Sequence, residues 1–300
     1  MQTGPPTNGT NAVKQTGFAE STRVSAACEA RLTVAFRAVA LANLETLRWF
    51  KNSALAVTHK SDHSPVTQAD LAAEAILKRE LLNAFPRDSF LGEESGSVSG
   101  TSGYEWIVDP IDGTKSFIRG VPLYATLIGC RHSGQGVLGV IALPALDEMV
   151  YAVAGGGAWH VCGQNQPTAA RVSTRLTLAE SLLCTSDFTS FARRSRKSTD
   201  GSDAQNGLKR SGDMIRENLE AACLVCRSWG DGYGYLLVAT GRADVMIDPL
   251  MNAWVAAAVE TVVREAGGTF TDWQGRERID SGEGLASNSL VHAEVLNALQ

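Results

Sequence analysis

The longest stretch without a helix breaker comes early in the chain. Residues 26–51 are rich in Ala, Leu, Glu and Arg and contain neither Gly nor Pro, which predicts a long helix. Pro65 precedes a second predicted helix over 68–84, with Thr67 placed to cap its first turn. Its apolar residues are spread around the cylinder, so composition carries this assignment more than periodicity. The pattern then changes. Apolar, β-leaning runs at 106–108, 124–130, 136–143 and 149–153 are separated by Gly or Pro and read as strands. The second half alternates more regularly: strand 181–185, helices 213–225 and 233–240, strand 243–247, helix 252–266, strand 269–272. Helices, then a block of strands, then a mixed half predict an α+β fold and not strict βαβ alternation.

Two polar stretches stand outside this pattern. Residues 1–24 carry Gly, Pro, Thr and Asn without the apolar centre of a signal peptide, and read as a disordered tail. Residues 193–213 (RRSRKSTDGSDAQNGLKRSGD) read as a solvated polar loop, with a partner contact through its basic cluster as the alternative. No apolar run is long enough to span a bilayer, and the lack of an export signal points to the cytoplasm.

Composition narrows the function classes. The 300 residues are 44% hydrophobic and 20% charged, with a net charge of −5, as in an ordinary soluble protein. A mild acidic balance argues against nucleic-acid or membrane-surface binding, but not against a small anionic substrate met by local cations. Of six cysteines, Cys223 and Cys226 form the sole CxxC, inside a stretch that reads as apolar helix. A single such pair is a weak zinc signal and is better read as a buried reduced pair. Gly155-Gly-Gly157 lacks the context of a dinucleotide fingerprint, and no G-x-S-x-G elbow occurs. Gly96 to Gly100 reads as a flexible flap beside Glu93.

The candidate chemistry is acidic. In WIVDPIDGTKSF, Asp109 and Asp112 straddle Pro110 and Ile111, and Gly113 permits a tight bend. Such a turn can bring both carboxylates and a main-chain carbonyl to one side, a hard-oxygen cluster of the kind Mg²⁺ prefers. A helix beginning at Gly113, Thr114 and Lys115 would offer free N–H groups to a phosphate. The competing reading is an Asx-type turn with two solvated acids. Two further acids precede the pair: Glu93 in Gly-Glu-Glu-Ser after Phe90-Leu91, and Asp70 in the first turn of the second helix.

Together, Pro-Val-Thr-Gln-Ala-Asp70, Gly-Glu93-Glu-Ser, Trp-Ile-Val-Asp109-Pro-Ile-Asp112-Gly-Thr114 and Trp254…Glu265-Ala-Gly-Gly268 resemble the inositol monophosphatase family. The resemblance runs from about Arg31 to the C-terminus. It implies a Mg²⁺-dependent phosphomonoesterase with an α-β-α-β-α layered sandwich of two closely packed halves, roughly 25–165 and 166–300, usually a homodimer. It also implies two or three Mg²⁺ ions. Glu93, Asp109 and the Ile111 carbonyl match ligands of the first, and Asp109 and Asp112 match ligands of the second. Thr114 matches the residue that passes a proton from the attacking water to Asp70. The phosphate would rest on Asp112, Gly113, Thr114 and Lys115. Hydrolysis of a phosphate ester needs charge neutralisation, an activated water and in-line positioning, and two cations bridged by one carboxylate supply all three.

Within the family, Lys115-Ser-Phe-Ile-Arg119-Gly and Trp229-Gly-Asp231-Gly-Tyr233 look most like the histidinol-phosphatase branch. A substrate carrying an ammonium and an imidazole beside its phosphate suits Asp231 and Asp248. Asp231 also reads as a helix N-cap and Asp248 as a strand-ending residue before Pro249; Lys115 and Arg119 either meet phosphate or brace the loop. An inositol monophosphatase or a 3′,5′-bisphosphate nucleotidase would use the same metal chemistry with a different pocket. One departure stands out. The family's late Trp is followed by an Asp that completes the second metal site, and here Trp254 is followed by Val255. The second ion is then held more weakly, or another acid such as Asp248 reaches in, or the chain binds a phosphorylated ligand without turning it over.

Overall fold

The computed structural model describes residues 25–62, 64–199 and 212–300, and the side chains of these except 195–199. The expected tail lies outside the described residues, as does most of the expected polar loop.

The helix α1 (Ala26–Trp49) is capped by the Ser25 hydroxyl, and the hairpin of β1 (Val57–His59) and β2 (Pro65–Thr67) leads into α2 (Gln68–Ala84). An eight-stranded sheet follows: β3 (Ser89–Gly92), β4 (Gly96–Val98), β5 (Tyr104–Asp112), β6 (Ala125–His132), β7 (Gln135–Leu143), β8 (Glu148–Val153), β9 (Gly157–Cys162) and β10 (Thr168–Ala170). The five-residue α3 (Thr114–Ile118) interrupts it after β5. The second sheet is built from β11 (Leu182–Cys184), β12 (Val225–Arg227), β13 (Val245–Asp248), β14 (Thr269–Thr271) and β15 (Gly284–Ser287), in the order β12-β11-β13-β15-β14. Its helices are α4 (Thr189–Thr199), α5 (Gly212–Ala222), α6 (Asp231–Ala239), α7 (Ala253–Glu265) and α8 (His292–Ala298).

Three hydrophobic clusters join these elements into five layers. Ala35, Ala38 and Ala42 of α1 and Leu77 and Leu81 of α2 pack on Val108, Ile128 and Val140 of the large sheet. The opposite face of that sheet, with Leu127, Ile141 and Leu143, packs on Leu236 of α6 and on Val259 and Val262 of α7. These in turn meet Met246, Phe270 and Ala286 of the second sheet. Beyond it, Leu183, Val245, Ile247 and Leu285 pack on Ile215 and Leu219 of α5 and Val295 of α8. Strands covered on both faces must be apolar at consecutive positions, which is why β6 and β7 read as unbroken apolar runs. Helix α7 lies almost on the sheet: a Cβ at Gly139 would come within 2.3 Å of the Ala258 carbonyl oxygen, and one at Gly129 within 2.7 Å of Ala257. The Ala256-Ala257-Ala258 run is the matching half of that approach.

The layered α+β expectation holds, and several local expectations do not. Residues 193–199 belong to α4 and are not loop. The helix expected over 213–225 ends at Ala222, and Cys226 lies on β12, so the CxxC joins a helix end to an edge strand. Gly96 to Val98 is not a flap but a strand paired with β3. The short β9, β10, β12 and β15 and the helix α8 have no counterpart in the expected elements. Among the described residues no helix is long and apolar enough to cross a membrane.

Candidate active site

The centre of the site is a defect in a strand. Along β5, Asp109 lies opposite Leu127 and Asp112 opposite Ala125, so two residues, Pro110 and Ile111, face the single Thr126 between them. In a regular strand, positions three apart point to opposite faces; the extra residue restores phase and puts both carboxylates on one face. It is the face of Leu127, turned toward α6 and α7. Pro110 has no N–H to leave unpaired, and its carbonyl accepts from Thr126 Oγ1 at 2.9 Å. The Ile111 amide donates to Asp109 Oδ1 at 3.1 Å. Gly113 then takes φ 85° to turn the chain into α3, as the Gly-Thr pair predicts.

Glu93 enters from the neighbouring strand. β3 runs parallel to β5, and the Glu93 amide donates to the Val108 carbonyl, so its side chain emerges beside Asp109. The turn behind it is pinned by Glu74 of α2, whose two oxygens accept from the Glu94 and Ser95 amides at 2.7 Å each. Lys60, next to β1, bridges Glu93 and Glu94 at 2.7 and 2.8 Å. Burial opposes its charge, but those two carboxylates outweigh burial and hold the ammonium above the ordinary lysine value.

Asp70 sits in the first turn of α2 in a reciprocal cap. Its Oδ2 accepts from the Thr67 amide at 2.8 Å and hydroxyl at 2.6 Å, while Thr67 Oγ1 accepts from the Ala69 amide at 3.1 Å. Its free Oδ1 faces Thr114, whose Oγ1 is 3.4 Å away and 3.1 Å from the Ile111 carbonyl oxygen.

The third wall comes from the second sheet. Asp248 ends β13, with Oδ1 accepting from the Ser186 amide at 3.1 Å and Oδ2 from the Tyr235 hydroxyl at 2.9 Å. Ser186 Oγ accepts from the Asp231 amide at 2.8 Å. The N-cap of α6 is Gly230, not Asp231, which adopts φ 54° at the first helical position. The Gly232 amide donates to Asp112 Oδ2, and a Cβ there would sit 2.8 Å from that of Ala125, so only glycine lets α6 approach β5 this closely.

These walls enclose a cavity of about 180 Å³ lined by Glu93, Asp109, Asp112, Thr114, Asp231 and Asp248, with Trp254 and Val255 from the first turn of α7. Lys115 and Arg119 do not line it. Lys115 reaches only to within 3.9 Å of Asp187. Neither sequence pattern nor composition singled out Glu74, Lys60, Ser186, Tyr235 or Gly232; the first four act by contacts made across 13 to 62 residues of chain, and Gly232 by one across 120.

So many acids in one cavity disfavour one another. Burial, then Glu93 and Asp112, push Asp109 well above the ordinary carboxylate range. Burial and the charge of Asp231 do the same to Asp112, against the Gly232 hydrogen bond. Burial and Asp248 push Asp231 up to about 7, and burial, opposed by Thr67, pushes Asp70 to about 6. Such a cluster is relieved by cations, and its donors are all hard oxygens, as Mg²⁺ requires. Glu93, Asp109, Ile111 and Asp112, which the resemblance implies as metal ligands, all line this cavity. Among the described residues no group of three or more His, Cys, Asp or Glu side chains is arranged to hold an ion by side chains alone. Val255 offers no donor from α7. Val255 lines the cavity beside Trp254, and Glu265, at the other end of α7, accepts from the Gly155 and Gly157 amides at 3.0 Å each.

A five-layer α+β sandwich with a hard-oxygen acidic cavity beside a strand bulge defines a narrow class of protein. The chain belongs to the inositol monophosphatase family, whose match covers residues 28–300. It is 38% identical over 242 residues to the histidinol-phosphatase of Chlorobaculum parvum, covering 81% of this chain and 85% of that one. It is 39% identical over 264 residues to the histidinol-phosphatase of Streptomyces coelicolor, covering 86% and 92%. Among solved structures, the extragenic suppressor protein suhB of Bartonella henselae superposes with a TM-score of 0.76 at 31% identity, over 90% of this chain and 98% of that one. The family is one of phosphatases and is generally Mg²⁺-dependent.

Proposed function

We propose that the chain is a Mg²⁺-dependent phosphomonoesterase that hydrolyses histidinol phosphate to histidinol, a step of histidine biosynthesis. The observation that carries the reaction type is the Thr114 hydroxyl, set between Asp70 and the Ile111 carbonyl on the wall that also holds Glu93, Asp109 and Asp112. When bound by these residues, two or three divalent cations would neutralise the phosphate charge and make a water molecule more acidic. Thr114 Oγ1 takes a proton from the attacking water and gives its own to Asp70 Oδ1. Asp70, pushed to about 6, is basic enough to accept a proton near neutral pH, and the Thr67 cap holds it in position. Asp112 and the amides of Gly113, Thr114 and Lys115 bound the place of the phosphate.

Asp231 and Asp248 line the cavity from the second half of the chain, and suit the ammonium and imidazole of the substrate's organic part. The resemblance of the relatives named histidinol-phosphatase supports this choice of ester. We read 25–300 as one catalytic domain whose two halves meet at the cavity, acting as a homodimer in the cytoplasm.

Val255 favours a specific variant of this reading: an enzyme whose second ion is held by Asp109, Asp112, water and the substrate, and which therefore needs more Mg²⁺. The test is a panel of phosphate esters, led by histidinol phosphate and inositol monophosphate, assayed over a wide Mg²⁺ range. Turnover of inositol monophosphate in preference would move the assignment within the family. Thermal stabilisation by phosphate esters with no hydrolysis at high Mg²⁺ would make the chain a binding protein.

A further inference from the structure

Thr114 faces the acidic cavity, but Lys115, Ser116, Ile118 and Arg119, from the same short helix and the turn after it, face another. This second cavity, of about 470 Å³, is completed by Val121 and by His59 and Pro65 of the β1–β2 hairpin. Its charge is the reverse of the first. Among the described residues no carboxylate lines it. Arg119 makes no ion pair among the described residues, its guanidinium meeting only the Lys115 carbonyl at 3.5 Å. Lys115 lies 3.9 Å from Asp187, a carboxylate shared with Arg193 at the same distance. The Lys51 stem packs beside Gly120, but its ammonium lies over the Phe50 ring, 5.2 Å from the centroid, and does not line the cavity. In a chain of net charge −5 this is a locally positive patch, compensated in part by Asp187. Pro65, Ile118 and Val121 give the cavity an apolar wall, and Val121 is 39% exposed at its rim.

We propose that this cavity is a second binding site, for a small organic anion distinct from the substrate in the acidic cavity. The phosphate or carboxylate head meets Lys115, Arg119, His59 and the Ser116 hydroxyl, and the apolar body lies on Ile118, Val121 and Pro65. The assignment does not depend on which ester the acidic cavity hydrolyses. Without divalent ions that cavity presents Glu93, Asp109, Asp112, Asp231 and Asp248 and repels anions, so the two sites can be told apart.

The experiment is calorimetry at low ionic strength on the full chain, stripped of divalent ions and freed of chelator, with inorganic phosphate, phenyl phosphate and benzoate. One site is expected, filled by phenyl phosphate or benzoate at about millimolar concentration or below and more weakly by inorganic phosphate. The tighter of the two aromatic probes identifies the head group. Affinity should fall about tenfold or more in Lys115→Gln/Arg119→Gln and, independently, in Val121→Asp, all exposed positions whose variants are checked for an unchanged Tm. Bound ligand should slow amide exchange in 57–62, 64–67 and 115–121. Absence of binding in the metal-free chain, affinities unmoved by both variants, or protection confined to other segments would overturn the proposal.

Discussion

The Thr114 hydroxyl lies 3.4 Å from Asp70 Oδ1, joining the turn after β5 to the first turn of α2 across 44 residues of chain. Thr114 is only half-buried, so Thr114→Ala should leave the unfolding midpoint near wild type. It should lower kcat by about 10²–10⁴-fold, the range for losing a positioned proton-transfer group. Thr114→Ser, which restores the hydroxyl, should recover most of it. Equal activity in Thr114→Ala would remove this residue from the chemistry.

Val255→Asp would restore an acid to the first turn of α7, facing the cavity. The Mg²⁺ concentration giving half-maximal activity should fall by roughly tenfold or more, and calorimetry should show tighter Mg²⁺ binding without substrate. An unchanged Mg²⁺ dependence would mean that another group already completes the second site.

The acidic cavity also fixes a pH dependence of stability. Asp70 and Asp231 titrate at about 6 and about 7 in the folded chain, above the ordinary value of 3.8, and Asp109 and Asp112 are raised as well. Between those values the folded state binds more protons than the unfolded state, so stability falls as pH rises. The metal-free chain should therefore have a lower Tm at pH 8 than at pH 5.5. Mg²⁺, which binds the deprotonated cluster, should raise the Tm more at pH 8. A scanning calorimetry series with and without Mg²⁺ checks both signs.

Far from the cavity, Arg31 of α1 is 7% exposed and depends on Asp88, which accepts from its Nε at 3.0 Å and Nη2 at 2.8 Å. Asp88 also accepts from Ser102 Oγ at 2.6 Å and Trp106 Nε1 at 3.1 Å. Removing it strands a buried guanidinium and two further donors. Asp88→Ala should cost about 3–5 kcal/mol in urea unfolding, while any folded fraction keeps its KM.

Gly232→Ala tests the approach of α6 to β5. The added methyl would meet the Ala125 Cβ at 2.8 Å and Asp112 Oδ2 at 3.1 Å. A loss of about 1–3 kcal/mol is expected, together with weaker Mg²⁺ binding, because the carboxylate must move. Stability lost with Mg²⁺ affinity retained would show that Asp112 is placed by the bulge alone.

Much of this arrangement was legible in the sequence, where local chemistry decides local structure. Pro65 and Thr67 marked the start of α2, and Gly113 and Thr114 marked the turn into α3 that follows Asp109 and Asp112. The apolar runs of β6 to β8 and the helix bearing Trp254 and Val255 were likewise visible, because burial on both faces or a run free of breakers leaves a direct imprint. The family motifs, and the missing acid at 255, lie in such segments.

Tertiary structure decided what depends on register and approach. That Asp109 and Asp112 share a face was expected from a turn; the structure achieves it by a bulge within β5, set by pairing with Leu127 and Ala125. The polar run 193–199 is helical against its composition, and β12 takes Cys226 out of the preceding helix because it pairs with β11. Most tellingly, Lys115 and Arg119 follow Thr114 within five residues, yet they line a different cavity. Successive side chains of the short α3 point in different directions, and only the surrounding hairpin and second sheet determine what each direction meets.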